Sequence, residues 1–159
     1  MKQLIIMRHG EAETGAGMPD FDRALTAKGR ADARDIGNRL QTAGCVPDAV
    51  FASPALRART TAELAVEGAG LPPGCLTLDD RIYQALPDTL LEIAAFAEPV
   101  LGRIMLVGHN PTFHMFAHGF IGGDAVVSMK PGTAVIVDVS GDWAALTPRS
   151  GKVREVLSP

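Results

Sequence analysis

Apolar runs that stop abruptly on polar residues recur along this chain, and between them apolar residues repeat at helical spacing. Residues 4–7 are continuously apolar, which predicts a strand buried on both faces, and Arg8-His9-Gly10 follows at once. Residues 12–23 are acidic, glycine-containing and aperiodic, which predicts a loop. Thr26 then stands as a helix N-cap, and Ala33, Ile36, Gly37, Leu40 and Ala43 fall on one face of a helix ending near Gly44. Residues 49–52 predict a second short strand. Ser53-Pro54 caps the next helix, which runs to about Gly68, and Pro72-Pro73-Gly74 breaks the pattern. Residues 76–82 read as an edge or irregular strand. Asp88 is expected to cap a helix carrying Leu91, Ile93, Ala94 and Phe96. Residues 103–107 form another buried strand, again followed directly by polar residues, Gly108-His109-Asn110-Pro111. A helix opens at Pro111 and stops by Gly122-Gly123. Residues 134–139 are a strand, Ser140-Gly141-Asp142 a turn, and residues 143–146 the expected return strand of a hairpin.

Strands separated by helices imply an α/β fold, a three-layer α/β/α sandwich whose sheet is mostly parallel, with the terminal hairpin adding an antiparallel strand. The chain is 159 residues long, which predicts one domain spanning 1–159 with short connections and a minimal cap. Its formal charge of -3 gives no reason to expect nucleic acid or an anionic membrane as partner, since both reward a basic surface. No apolar run is long enough to span a membrane, and the apolar start is too short for a signal peptide, so a cytoplasmic protein is expected. Cys45 and Cys75 lie far apart without metal-ligand spacing; two reduced thiols are expected, with a disulfide as the alternative.

Ligands of open α/β sheets sit outside the carboxyl ends of the strands. Arg8-His9, Ser53 to Arg57, and His109 all follow strands, so residues far apart in sequence are predicted to meet at one sheet edge. Two Arg and two His around one point make an anion site suited to a phosphoryl group. Arg offers a planar fork that matches phosphate oxygens and stays charged, and the helices after Ser53-Pro54 and at Pro111 can point free N–H groups the same way. A neutral histidine there is a competent nucleophile for phosphorus. A second histidine, held cationic beside the phosphate, can donate a hydrogen bond to its oxygens.

With these residues placed, the chain resembles the histidine phosphatase superfamily, the phosphoglycerate mutase-like fold, and within it the short SixA-type phosphohistidine phosphatases. The resemblance rests on Leu4 to Ala12 with Arg8-His9-Gly10-Glu11, on Arg23-Ala24-Leu25-Thr26 with Gly29, on Ser53-Pro54-Ala55-Leu56-Arg57-Ala58 with Thr61-Ala62, and on Val107-Gly108-His109-Asn110-Pro111. It implies that His9 is the nucleophile that becomes phosphorylated and that Arg8, Arg57 and His109 bind the phosphoryl group, with Arg23 lining the mouth of the pocket. No metal or other cofactor is expected, because the arginines neutralise the charge that a metal ion neutralises elsewhere.

Ester-cleaving relatives also carry a general acid, as a Glu between the second and fourth motifs or an Asp directly after the second catalytic His. Here Asn110 follows His109, and the segment Arg81 to Asp88 has no Glu. Asp88 is read as a helix cap, and Glu11 as either an acid or a tether for the backbone. A phosphohistidine substrate has less need of an acid, because its P–N bond passes between imidazoles of similar basicity. The expected substrate is therefore phosphohistidine on a partner protein. A small-molecule phosphomonoesterase is the alternative, and a non-catalytic phosphoprotein-binding module is a third reading, which has no use for the nucleophile. His114 and His118 have metal-compatible i, i+4 spacing, but their helix is rich in Phe and Met, so a packing or surface role is expected.

Overall fold

The computed structural model describes residues 1–159. Six strands form one sheet: β1 (Lys2–Arg8), β2 (Ala49–Ala52), β3 (Leu76–Leu78), β4 (Arg103–Gly108), β5 (Ala134–Val139) and β6 (Lys152–Leu157). Their order is β3-β2-β4-β1-β5-β6. β3, β2, β4 and β1 run parallel, while β5 is antiparallel to β1 and β6 to β5. The helices are α1 (Ala27–Thr42), α2 (Leu56–Gly68), α3 (Pro87–Ala95) and α4 (Thr112–Phe120).

The continuous apolar runs have a direct cause. Side chains alternate across a strand, and here both faces are covered. Leu4, Ile6, Ile104, Leu106, Val135 and Val137 point into a core of 21 buried residues shared with Leu90 and Ile93 of α3 and Phe113 and Phe116 of α4. Ile5, Met7, Met105, Val107 and Ile136 point the other way, into a core of 15 buried residues shared with Ile36 and Leu40 of α1 and Ala62 and Ala65 of α2. The three predicted layers are therefore present. No helix is long and apolar enough to cross a membrane.

Several local expectations are corrected. Residues 143–145 form a 3-10 turn rather than a strand, because Trp143 turns into the core and its Nε1 donates to Leu101 O at 2.8 Å. The return strand is β6, an edge strand whose only fully buried residue is Leu157, so it carries almost no periodic signal. Strand character at residues 76–82 stops at Leu78. Asp79 then caps a short 3-10 turn by accepting from Arg81 N–H at 3.0 Å. α3 starts at Pro87, which fits a first helical position. Asp88 lies inside the first turn, and the cap position belongs to Leu86, whose N–H donates to Thr89 Oγ1 at 3.3 Å. Ser53 and Pro54 precede α2, which starts at Leu56. Thr26 caps α1 as expected, accepting from Gly29 N–H at 3.0 Å. Cys45 and Cys75 are both free thiols.

α1 and α2 pack closely because Gly37 and Gly68 let their backbones meet. A Cβ at Gly37 would overlap the carbonyl of Ala65, and one at Gly68 the carbonyl of Arg34. Gly37→Ala is therefore expected to destabilise the protein by about 1–3 kcal/mol, the usual cost of overpacking a tight contact. A urea titration checks this: the midpoint should fall with an unchanged slope, and an unshifted midpoint contradicts it.

Candidate active site

β2, β4 and β1 are neighbours in the sheet, so the segments leaving their carboxyl ends emerge side by side. The pairing continues one step past the strands: His9 N–H donates to Gly108 O at 2.9 Å, and Ser53 N–H to Val107 O at 3.0 Å. This places His9, Ser53 and His109 at one edge. The rings of His9 and His109 have centroids 5.2 Å apart, and each residue is 8 % exposed.

His9 Nδ1 lies 2.7 Å from Gly10 O. A carbonyl oxygen only accepts, so Nδ1 carries the hydrogen and Nε2 is left with its lone pair. Gly10 is itself fixed, since its N–H donates to Thr61 Oγ1 at 3.0 Å and Thr61 Oγ1 donates to Arg57 O at 2.7 Å. A Cβ on Gly10 would press within 2.8 Å of Gly29 O. The position of His9 relative to the first turn of α2 is thus set by a threonine and two glycines.

His109 Nε2 lies 2.7 Å from Ser53 Oγ, which also accepts from Ala55 N–H at 3.2 Å. When the hydroxyl donates to Nε2, the proton of neutral His109 sits on Nδ1, a buried atom with no partner in the protein. Arg8 and Arg57 show the same pattern. Arg8 Nη1 donates to Met129 O at 3.1 Å, Arg57 Nη1 and Nη2 donate to Asp20 O and Oδ2 at 2.7 and 2.9 Å, and the Nε of each is buried and unpartnered. Buried donors without acceptors cost free energy unless a ligand satisfies them. Two arginine Nε–H donors, and His109 Nδ1 in that tautomer, are left without acceptors in one cluster, the complement that an oxyanion supplies.

Arg23 reaches the cluster through Asp20: its Nη1 donates to Asp20 Oδ1 at 3.1 Å and its Nε to Glu13 O at 2.9 Å. Its side chain is partly exposed. Tyr83 OH donates to Asp20 Oδ2 at 2.8 Å, and the Tyr83 ring sits edge-on to His109 with centroids 5.6 Å apart. Asp20 and Tyr83 are not among the residues the sequence pattern singles out. Asp20 lies in the aperiodic loop, where its only signal is the i, i+3 spacing to Arg23. The segment at Ser53 also holds the His109 ring through the Ser53 hydroxyl, a role the sequence reading does not include.

Burial, joined by the positive charge of Arg57 and Arg8, lowers the His9 pKa to about 4. Burial, with His9 and Arg57, lowers that of His109 to about 3. In the unliganded protein desolvation outweighs the neighbouring carboxylate, and both imidazoles are neutral at pH 7; the cationic second histidine is an expectation for the phosphate-bound state. Hydrogen bonds from Tyr83, Arg57 and Arg23 hold the Asp20 carboxyl well below the usual carboxylate range. It is a fixed anion, not a proton donor.

The two candidate acids do not join the cluster. Glu11 accepts from Thr26 Oγ1 at 2.7 Å and braces the start of α1. Asp88 lies in a small cleft with Phe116, Phe120 and Pro148 between α3 and α4. The His114 and His118 rings lie tilted against each other on α4 with centroids 4.4 Å apart, and no group of three or more His, Cys, Asp or Glu forms around them.

A family model, the histidine phosphatase superfamily (branch 1), matches residues 4–82. The uncharacterised protein Rv1276c of Mycobacterium tuberculosis is 31 % identical over 151 residues, covering 89 % of this chain and 92 % of its own. The chain belongs to the histidine phosphatase superfamily. Two structures assigned as phosphohistidine phosphatase SixA superpose on nearly the whole chain. That from Nakamurella multipartitia has 25 % identity and a TM-score of 0.86, covering 99 % of this chain and 96 % of its own. That from Agrobacterium tumefaciens has 26 % identity and a TM-score of 0.84, covering 99 % and 98 %. A protein histidine phosphatase SixA solved with tungstate shares the fold at 21 % identity, with a TM-score of 0.83 over 98 % and 96 % of the two chains. Phosphatases of small molecules share the fold at lower identity still. As a superfamily member the chain is a phosphatase, a hydrolase.

Two outcomes follow from this geometry. The unfolded chain protonates its histidines near pH 6.5, whereas the folded chain resists doing so until about 4 at His9 and 3 at His109. Stability is then full above about 6.5 and is lost as pH falls toward those values, by on the order of a few kcal/mol. An imidazole NMR titration without phosphate should show two of the four histidines with midpoints below 5; a His9 midpoint near 6.5 contradicts the burial argument. Ser53→Ala frees the His109 ring and is expected to lower kcat by up to about 100-fold, whereas unchanged kcat would remove Ser53 from the site.

Proposed function

We propose that this protein hydrolyses phosphoryl groups through a phospho-His9 intermediate and that its substrate is phosphohistidine on a partner protein. The observation that carries the mechanism is the Gly10 carbonyl on His9 Nδ1 at 2.7 Å, which fixes the free lone pair at Nε2 beside three unpartnered buried donors.

His9 Nε2 attacks phosphorus in line with the departing group, so the new P–N bond forms as the substrate's breaks; the substrate ring, protonated on its second nitrogen, takes the bonding pair and departs as a neutral imidazole. Arg8, Arg57 and His109 stabilise the charge on the equatorial oxygens. A bound phosphoryl dianion also favours the cationic form of His109, countering the desolvation that keeps it neutral when the site is free. Water then attacks phospho-His9, the P–Nε2 bond breaks, and inorganic phosphate leaves with His9 restored.

The substrate reading rests on the acids. The only carboxylate bonded to the cluster is Asp20, which three donors hold ionised. An alkoxide leaves poorly without a proton, whereas transfer between two imidazoles joins groups of similar basicity. The similarity to the two SixA structures supports the same substrate class. The small-molecule phosphatases on this fold keep phosphate esters as the second reading.

The test compares wild type and His9→Ala on a phosphohistidine-bearing protein and on a panel of sugar and aryl phosphates. Wild type is expected to favour the phosphohistidine protein, and His9→Ala to lose activity by roughly 1,000-fold or more. Esters turned over as efficiently would replace the phosphohistidine reading with the ester one. Undiminished activity in His9→Ala, or a trapped adduct stable to acid, would overturn the mechanism itself.

A further inference from the structure

The grip on Arg57 comes from a residue outside the four that the phosphoryl site employs. The Arg57 side chain is 8 % exposed, yet both of its terminal nitrogens end on Asp20, a half-exposed residue in the turn Asp20–Asp22. Nη1 donates to the main-chain oxygen at 2.7 Å and Nη2 to Oδ2 at 2.9 Å. A guanidinium is a rigid plane with five N–H groups. Held at both terminal nitrogens, it cannot swing, and its Nε is the one guanidinium nitrogen that is buried without a partner.

Asp20 is held in turn. Arg23 occupies Oδ1 at 3.1 Å and Tyr83 OH occupies Oδ2 at 2.8 Å. Phe21 packs edge-on against Tyr83 with centroids 5.1 Å apart, and Tyr83 packs against His109. Arg57 therefore takes its position from one carboxylate, whose phenol partner also packs on the ring of His109.

We propose that Asp20 is the positioning residue of the phosphoryl site: it clamps the terminal nitrogens of Arg57 so that the Nε edge faces the transferred group. This rests on the anion-site reading above. A carboxylate lying on an arginine could instead compete with the phosphoryl group for the same nitrogens, and the two roles differ in sign. Removing a competitor tightens anion binding, whereas removing a clamp weakens it.

Calorimetric binding of tungstate separates them without depending on which phosphorylated substrate the enzyme prefers. Asp20→Ala is expected to weaken tungstate binding by about 10-fold or more, the scale on which a misplaced site group acts. Asp20→Asn, of equal size, should weaken it at least about 3-fold and keeps the test open if the alanine variant does not fold. In an Arg57→Lys background the ammonium has no fork to orient, so Asp20→Ala should cost less than about 3-fold further. Unchanged or tighter binding in either Asp20 variant overturns the proposal. So does an equal loss with and without the Arg57→Lys substitution, which would mean that Asp20 does not act through the guanidinium. If wild type binds no tungstate, the anion site falls and the clamp with it. If tungstate binds as expected while phosphohistidine is not hydrolysed, only the substrate reading fails.

Discussion

The hydrogen bond between His9 Nδ1 and the Gly10 carbonyl is the constraint around which the site is built. An imidazole free to rotate would present either nitrogen, and either tautomer, to an incoming phosphorus. The adjacent carbonyl removes that freedom with the shortest available lever, the next residue in the chain. For the lever to hold, Gly10 must not move. Thr61, reaching from α2, fixes its N–H, and Gly29 at the start of α1 closes over it. Both helices on that face thus contribute to the orientation of one ring, and the close packing of α1 on α2 bears on chemistry as well as on stability.

A second constraint is electrostatic. The fold gathers Arg8, Arg57 and Arg23 near two buried imidazoles, which is costly unless the charges find partners. The protein meets this in two ways. It leaves the imidazoles neutral, and it supplies one carboxylate, Asp20, whose hydrogen bonds are all to members of the site. The arginines carry the positive charge that remains, and the unpartnered Nε atoms of Arg8 and Arg57 lie buried beneath the surface.

What could be read from the sequence divides along physical lines. Arg8, His9 and His109 were legible because each follows an apolar run whose end is visible without any tertiary information, and strand order then brings the ends together. Arg57 was legible for the same reason, in the first turn of the helix after β2. The Ser53 hydroxyl was not, because its partner His109 is 56 residues away and only the register of β2 on β4 aligns them. Asp20 was harder still, lying in a stretch without periodicity and meeting Arg57 across 37 residues. β6 escaped because an edge strand needs little apolar pattern, and Trp143 misled because an apolar residue after a turn fits a hairpin until its side chain is seen to turn inward.

The central position of β1 has an evolutionary consequence. It lies between β4 and β5, with side chains in both cores, so the proposed nucleophile follows a strand anchored on both faces. The groups around it come instead from peripheral connections: the segment holding Asp20 and Arg23, and the one holding Met129, whose carbonyl takes hydrogen bonds from both Arg8 and Asn110. Such connections can lengthen or exchange residues without disturbing either core. A lineage built on this plan can change what it recognises while inheriting its reaction intact.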